Sequence, residues 1–92
     1  MDYTTQNYMV KLFKMLSNGN RLRIVTLLLK ENKPLRVSDI ADVLHMEQST
    51  LSSHLTRMRE NKVLKAKQHG IHMYYSIGDP NIGKMLKLIT PI

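Results

Sequence analysis

The stretch from Arg36 to Tyr75 constrains the fold most, because its apolar period changes partway along. In RVSDIADVLH, the residues Val37, Ile40, Ala41 and Leu44 recur at spacings of three and four, which predicts a short helix near Val37 to Leu44. His45-Met46-Glu47 reads as a turn. A longer helix is then predicted from Gln48 to Asn61, with Leu51, Leu55 and Met58 along one seam. After it the period drops to two. Lys62 to Gln68 and His72 to Ile77 read as strands, joined around His69-Gly70-Ile71. A helix, a tight turn, a second helix and a basic two-stranded ribbon follow the order of a winged helix-turn-helix. That device lays its second helix in the major groove of DNA.

The flanking segments read as helices. From Thr4 to Ser17 an apolar face carries Tyr8, Met9, Leu12, Phe13, Met15 and Leu16. Asn18-Gly19-Asn20 breaks it and offers N-caps for a helix from Arg21 to Glu31. There Leu22, Ile24, Val25, Leu27, Leu28 and Leu29 cover almost every side, so a buried central helix is expected, ended by Lys33-Pro34. Asp79-Pro80 starts a last helix bearing Ile82, Met85, Leu86 and Ile89. The expected class is mainly α with a β-hairpin wing (α+β), in the order ααααββα, as one domain over residues 1–92.

Charge narrows the partners. Fourteen Lys and Arg against seven Asp and Glu give a net charge of +7, which favours a polyanion. Nucleic acid ranks ahead of an anionic membrane, since no long apolar run or lipidation motif is present. Cysteine is absent, which excludes disulfides, thiolate metal sites and thiol redox switching. MDYTTQNYMV lacks a positive leader and an apolar signal core, so the expectation is a chain of the prokaryotic cytoplasm. No Gly-rich phosphate loop, HExxH, nucleophile elbow or pair of catalytic carboxylates appears, so neither an enzyme nor a cofactor is expected.

On the fourth helix, taking Leu51 as inward and about 100° per residue, Leu55 and Met58 stay within roughly 40° of it. The opposite face holds Ser49, Ser52, Ser53, Thr56, Arg57 and Glu60. Surface helices ordinarily carry long charged side chains there. Small hydroxylated residues instead let a helix approach base edges closely. Gln48, Ser49, Ser52 and Ser53 are the candidate base readers, Gln48 because its amide can pair with adenine. Thr50, Thr56 and Arg57 are candidates for the DNA backbone, and the helix N-terminus suits a phosphate. The bland alternative is a solvated N-cap region.

Lys65 and Lys67 alternate with Leu64 and Ala66, so both point to one face of the ribbon. With Lys62, Gln68 and His69, and His72 as a weaker candidate, they can reach phosphates beside the site. The alternative is a hairpin edge blunted by lysines. His54 is expected to be a hydrogen-bonded structural histidine, and Glu47 an N-cap substitute. His69 and His72 form an H-x-x-H across the hairpin tip, but no carboxylate lies near in sequence to complete a zinc site, so no metal site is assigned. Met9, Met15, Met58, Met73 and Met85 sit in apolar patterns and read as core filling.

LSNGNRLRIVTLL resembles the L-S-D-P-x-R-L-R-I-L-x-L-L opening of ArsR-type winged-helix regulators, named for arsenic resistance. MEQSTLSSHLTRMREN is similar to that family's L-S-Q-S-T-V-S-x-H-L-x-x-L, and the wing ending in YYSI to its Y-Y-S-L. The resemblance runs from about Leu12 to Ile89. The tail NIGKMLKLITPI also resembles that of plasmid-borne members without metal sites. The resemblance implies a homodimeric repressor that binds an imperfect palindrome in a promoter, with the first and last helices making the dimer. Where the family has the thiolate site E-L-C-V-C-D-L, Arg36 and Ser38 stand in place of the cysteines, and neither can replace a soft thiolate. Where it has D-x-H at the last helix, Asp79 is kept but Asn81 replaces the histidine. Neither familial metal site is expected, and any effector is unknown.

The dimer also has support from the residues, because two apolar terminal helices are hard for so short a chain to cover. Tyr8, Met9, Leu12, Phe13 and Leu16 of the first helix are the expected interface, with Ile82, Met85, Leu86 and Ile89 of the last. Packing of both faces within the monomer is the alternative. Two functions remain: a sequence-specific repressor of double-stranded DNA, and a winged-helix module that binds another protein.

Overall fold

The computed structural model describes residues 1–92 and builds five helices around a three-stranded antiparallel sheet. The elements are α1 (Tyr3–Leu16), α2 (Gly19–Glu31), β1 (Leu35–Arg36), α3 (Val37–Leu44), α4 (Gln48–Glu60), β2 (Leu64–His69), β3 (His72–Ile77) and α5 (Pro80–Ile89). The order is therefore ααβααββα. The hairpin is joined by a third strand, β1, that the sequence pattern did not reveal. Leu35 pairs with Tyr75 and Arg36 with Tyr74, so β3 lies in the middle of the sheet. Two residues are too few for an alternation to register.

Caps set the helix starts. Asp2 accepts from the Thr5 N–H at 2.7 Å, Asn18 from Arg21 N–H at 3.0 Å, and Asp79 from Asn81 N–H at 2.9 Å. Because Asn18 is the cap, α2 begins at Gly19, two residues before the expected Arg21. Asn32, in the left-handed conformation (φ 53°), ends α2 ahead of Lys33-Pro34. Lys62 is also left-handed (φ 62°), so β2 starts at Leu64 instead of Lys62. The hairpin closes through Gly70 and Ile71. Of the two, only Gly70 has positive φ (64°), the pattern of a type II′ turn.

The core gathers from every element. Ile24, Ile40, Leu51, Leu55, Met58 and Ile82 have no exposed surface, and Leu12, Met15, Leu16, Val63, Leu64, Tyr75 and Leu86 join them. The central helix is less enclosed than its sequence suggested, since Leu22 is 38% exposed. Met15 and Met58 fill core space, while Met73 and Met85 pack against its edge.

Two arginines of α2 terminate other helices. The Arg21 Nε donates to the Met15 carbonyl at 2.7 Å and its Nη2 to that of Lys14 at 3.1 Å. Arg23 Nη2 donates to the Leu44 carbonyl at 2.6 Å. Both cations meet carbonyls at helix C-terminal ends, where the helix dipole favours positive charge.

Candidate nucleic-acid interface

Helix α4 is anchored by Leu51, Leu55 and Met58, all fully buried, which turns its other side outward. Gln48, Ser49, Thr50, Ser52, Ser53, Thr56 and Arg57 are all exposed. Ser49, Ser52, Ser53, Thr56, Arg57 and Glu60 share one open, shallow surface, the face expected from the helical period. The turn before it is tight. His45 is left-handed (φ 53°), and the Met46 N–H returns to the Ala41 carbonyl at 3.1 Å.

The start of α4 differs from expectation. Glu47 occupies the N-cap position, but its side chain makes no capping hydrogen bond. Its Oε1 accepts from the Ser49 hydroxyl instead. The first-turn N–H groups of α4 are thus left without a side-chain acceptor, while the Ser49 hydroxyl is engaged and an acid stands beside the helix start.

His54 is half-buried on the flank of α4, and no hydrogen bond holds its ring. Burial, with Arg21 and Arg57 nearby, pushes its pKa below the ordinary histidine value. The expected hydrogen-bonded histidine is therefore a desolvated one.

In the wing, Lys65, Lys67, Gln68 and His69 are exposed, whereas Leu64 is buried and Ala66 half-buried. The register sets Lys65 beside Ser76, Lys67 beside Tyr74 and His69 beside His72. Lys62 lies in the turn before β2, exposed. At the tip, Ile71 is 91% exposed. His69 and His72 face each other, yet no three His, Asp or Glu side chains converge anywhere in the chain.

Three of the positions that the resemblance aligns with metal ligands, Arg36, Asp79 and Asn81, bond to other side chains. Arg36 forms a fork on Asp39, Nη2 to Oδ1 at 3.1 Å and Nε to Oδ2 at 3.2 Å, which holds the Asp39 carboxyl below the usual range. Asp79 accepts from the Tyr8 hydroxyl at 2.5 Å, and the Asn81 amide donates to the Tyr8 oxygen at 3.0 Å.

The terminal helices divide their apolar residues. Leu12, Leu16, Ile82 and Leu86 face the chain's own core, contrary to their expected place at an interface. Met9 and Met85 are half-buried. Tyr8, Phe13 and Ile89 remain exposed, joined by Tyr3 and Leu88, which sequence reasoning passed over.

A buried-seam helix with a small polar outer face, set behind a tight turn and beside a basic ribbon, defines a winged-helix regulator. Residues 18–64 match the family described as bacterial regulatory protein, arsR family. The chain is 39% identical to the transcriptional repressor PagR of Bacillus anthracis, over all of this chain and 91% of that protein. The crystal structure of PagR superposes with a TM-score of 0.88, covering 97% of this chain and 100% of that one. HlyU from Vibrio cholerae follows at 0.86 and 26% identity, covering 97% and 94%. The winged helix-turn-helix DNA-binding domain of Mb0332 from Mycobacterium bovis, described as homodimeric, gives 0.81 at 26% identity, covering 94% and 78%. The protein belongs to the arsR family of bacterial transcriptional regulators.

Proposed function

We propose that this chain is a single-domain repressor that binds a palindromic DNA operator as a homodimer, without the family's metal-sensing sites. The observation that carries the reading is the outer face of α4, where Ser49, Ser52, Ser53 and Thr56 stand exposed around Arg57. Small hydroxylated side chains permit close approach to base edges, and the exposed Gln48 has an amide that can pair with adenine. The uncapped start of α4 offers N–H groups to a phosphate. Lys62, Lys65, Lys67, Gln68 and His69 of the wing take further backbone contacts. Among the relatives, PagR is described as a repressor and Mb0332 as a homodimeric DNA-binding domain.

The dimer is read from α1 and α5, whose Phe13, Leu88 and Ile89 are left exposed next to the core. In a two-fold dimer the reading helices would lie roughly 34–36 Å apart, one turn of DNA. Arg36, Ser38 and Asn81 at the familial ligand positions support a repressor that does not sense metal there.

Selection of bound duplexes from a random pool, with no metal added, tests the reading. An enriched palindrome with half-sites one turn apart is the expected result. Gln48→Ala and Ser52→Ala should relax the selected sequence. Lys65→Ala and Lys67→Ala should weaken every duplex alike and each lower the salt slope by about 1. Failure of the chain to bind any duplex would favour the protein-interaction module.

A further inference from the structure

The sheet has a second face, turned away from the core, and it is basic. Residues opposite one another on paired strands share a face, so Lys65, Lys67 and His69 of β2 lie with Ser76, Tyr74 and His72 of β3. Strand β1, on the other side of β3, brings up the Lys33-Pro34 turn. The result is a shallow groove of about 850 Å³, with Lys33 on one bank, Lys65, Lys67 and His69 on the other, and Tyr74 and Ser76 between. From Lys65 to His69 it runs roughly 13 Å along the strand.

Its chemistry is one-sided. No carboxylate lines it, and Asp39, next to β1, is already engaged by Arg36. Three ammonium groups gathered without an acid repel one another, and a bound anion relieves that repulsion. The aromatic part is equally specific. Tyr74 is half-buried, with the His69 ring edge-on at 6.3 Å and 82° and the His72 ring at 6.5 Å and 86°.

We propose that this groove binds a small phosphate-bearing molecule with a flat ring, a nucleotide in chemical class, and that its occupation withdraws Lys65 and Lys67 from DNA. Lysines hold phosphate as point charges, and a cluster of aromatic rings accepts a planar one. Lys33 lies ahead of β1, outside both the reading helix and the wing, and Tyr74 lies between it and the wing lysines, so the groove extends beyond the side chains assigned to DNA. The effect on DNA rests on the DNA-binding reading above; the binding site itself does not.

Calorimetric titration of the full chain with ATP, in the absence of divalent metal, tests the site. Lys33→Ala and Tyr74→Ala should each weaken ATP about tenfold and leave affinity for the selected duplex within about twofold. Lys33 is exposed and outside the core, so its variant tests the site without risk to the core. Adenosine alone and tripolyphosphate alone should each bind at least about tenfold more weakly than ATP. In fluorescence anisotropy ATP should release the duplex from the unaltered protein, and do so about tenfold less effectively with either variant. ATP that does not bind, or binds both variants as well as the unaltered protein, overturns the proposal. Equal binding of tripolyphosphate and ATP also overturns it, because the ring then has no part. So does a loss of duplex affinity in Lys33→Ala as large as in Lys65→Ala, because the groove is then a DNA surface. Failure of the unaltered chain to bind DNA would sink the repressor reading, and the ATP titration would still decide the site.

Discussion

Arg21 is the one buried charged residue, and its charge is matched by carbonyl dipoles rather than by an acid. Its neighbours worsen its position, since burial and then Arg57 both push its pKa down. Replacing it with methionine keeps much of the volume but leaves the Met15 carbonyl without its arginine donor and that of Lys14 with only the long 3.4 Å bond from the Ser17 N–H. Arg21→Met should therefore cost about 2–3 kcal/mol in urea unfolding. A midpoint that does not move would remove Arg21 as the cap of α1. His54 shares that surroundings and gives a pH signature. Its folded pKa lies below the unfolded value of about 6.5. The neutral ring therefore favours the folded chain, so stability is full above about pH 6.5 and declines as pH falls through the window below it. His54→Gln should flatten that decline, read as unfolding midpoints between about pH 5 and 7.5. An unchanged profile would assign the decline to other groups. Neither role was visible in the sequence: a period reports which face is apolar, not which charge lies over a helix end. Arg21 looked like any basic residue at the start of a helix.

At the scale of elements, α3, α4 and the hairpin were legible because each runs long enough for its period to show. The Ser-rich face of α4 emerges on the side that a simple count from Leu51 gives. What escaped was short or conformational: the two-residue β1, the left-handed Lys62 and the engagement of Glu47 with Ser49. Strand β1 escaped for want of length, and it is the element that brings Lys33 to the outer face of the sheet. Glu47 has its own consequence. It sets a negative charge at the end of α4 proposed to meet phosphate, and it occupies a hydroxyl proposed to read bases. Glu47→Gln removes the charge with little change of shape. The variant should bind every duplex more tightly by about 1 kcal/mol, roughly fivefold, at low salt. Its selected sequence should stay the same at positions read by Gln48 and Ser52. Anisotropy titrations across a salt series measure this, and equal affinities would move the helix start away from the DNA backbone.

For the whole molecule, the exposed apolar residues are concentrated on α1 and α5. Leu88 is 89% exposed, Ile89 80% and Phe13 49%, whereas Leu12, Leu16, Ile82 and Leu86 of the same helices are buried. Each terminal helix thus closes its own core with one set of side chains and leaves another set open. Tyr8 ties the two helices together through Asp79 and Asn81. A two-fold interface uses the same patch of both copies, so one charge placed there is introduced twice, each against the partner's apolar residues. Ile89→Lys changes a residue that contributes nothing to the core. It should convert the chain to a monomer in sedimentation at micromolar concentration while leaving its circular dichroism intact. The second half-site contact would then no longer be intramolecular, so affinity for the palindrome should fall by about a hundredfold or more. Affinity for an isolated half-site should hardly change. A variant that stays dimeric with full palindrome affinity would move the two-fold axis away from α5.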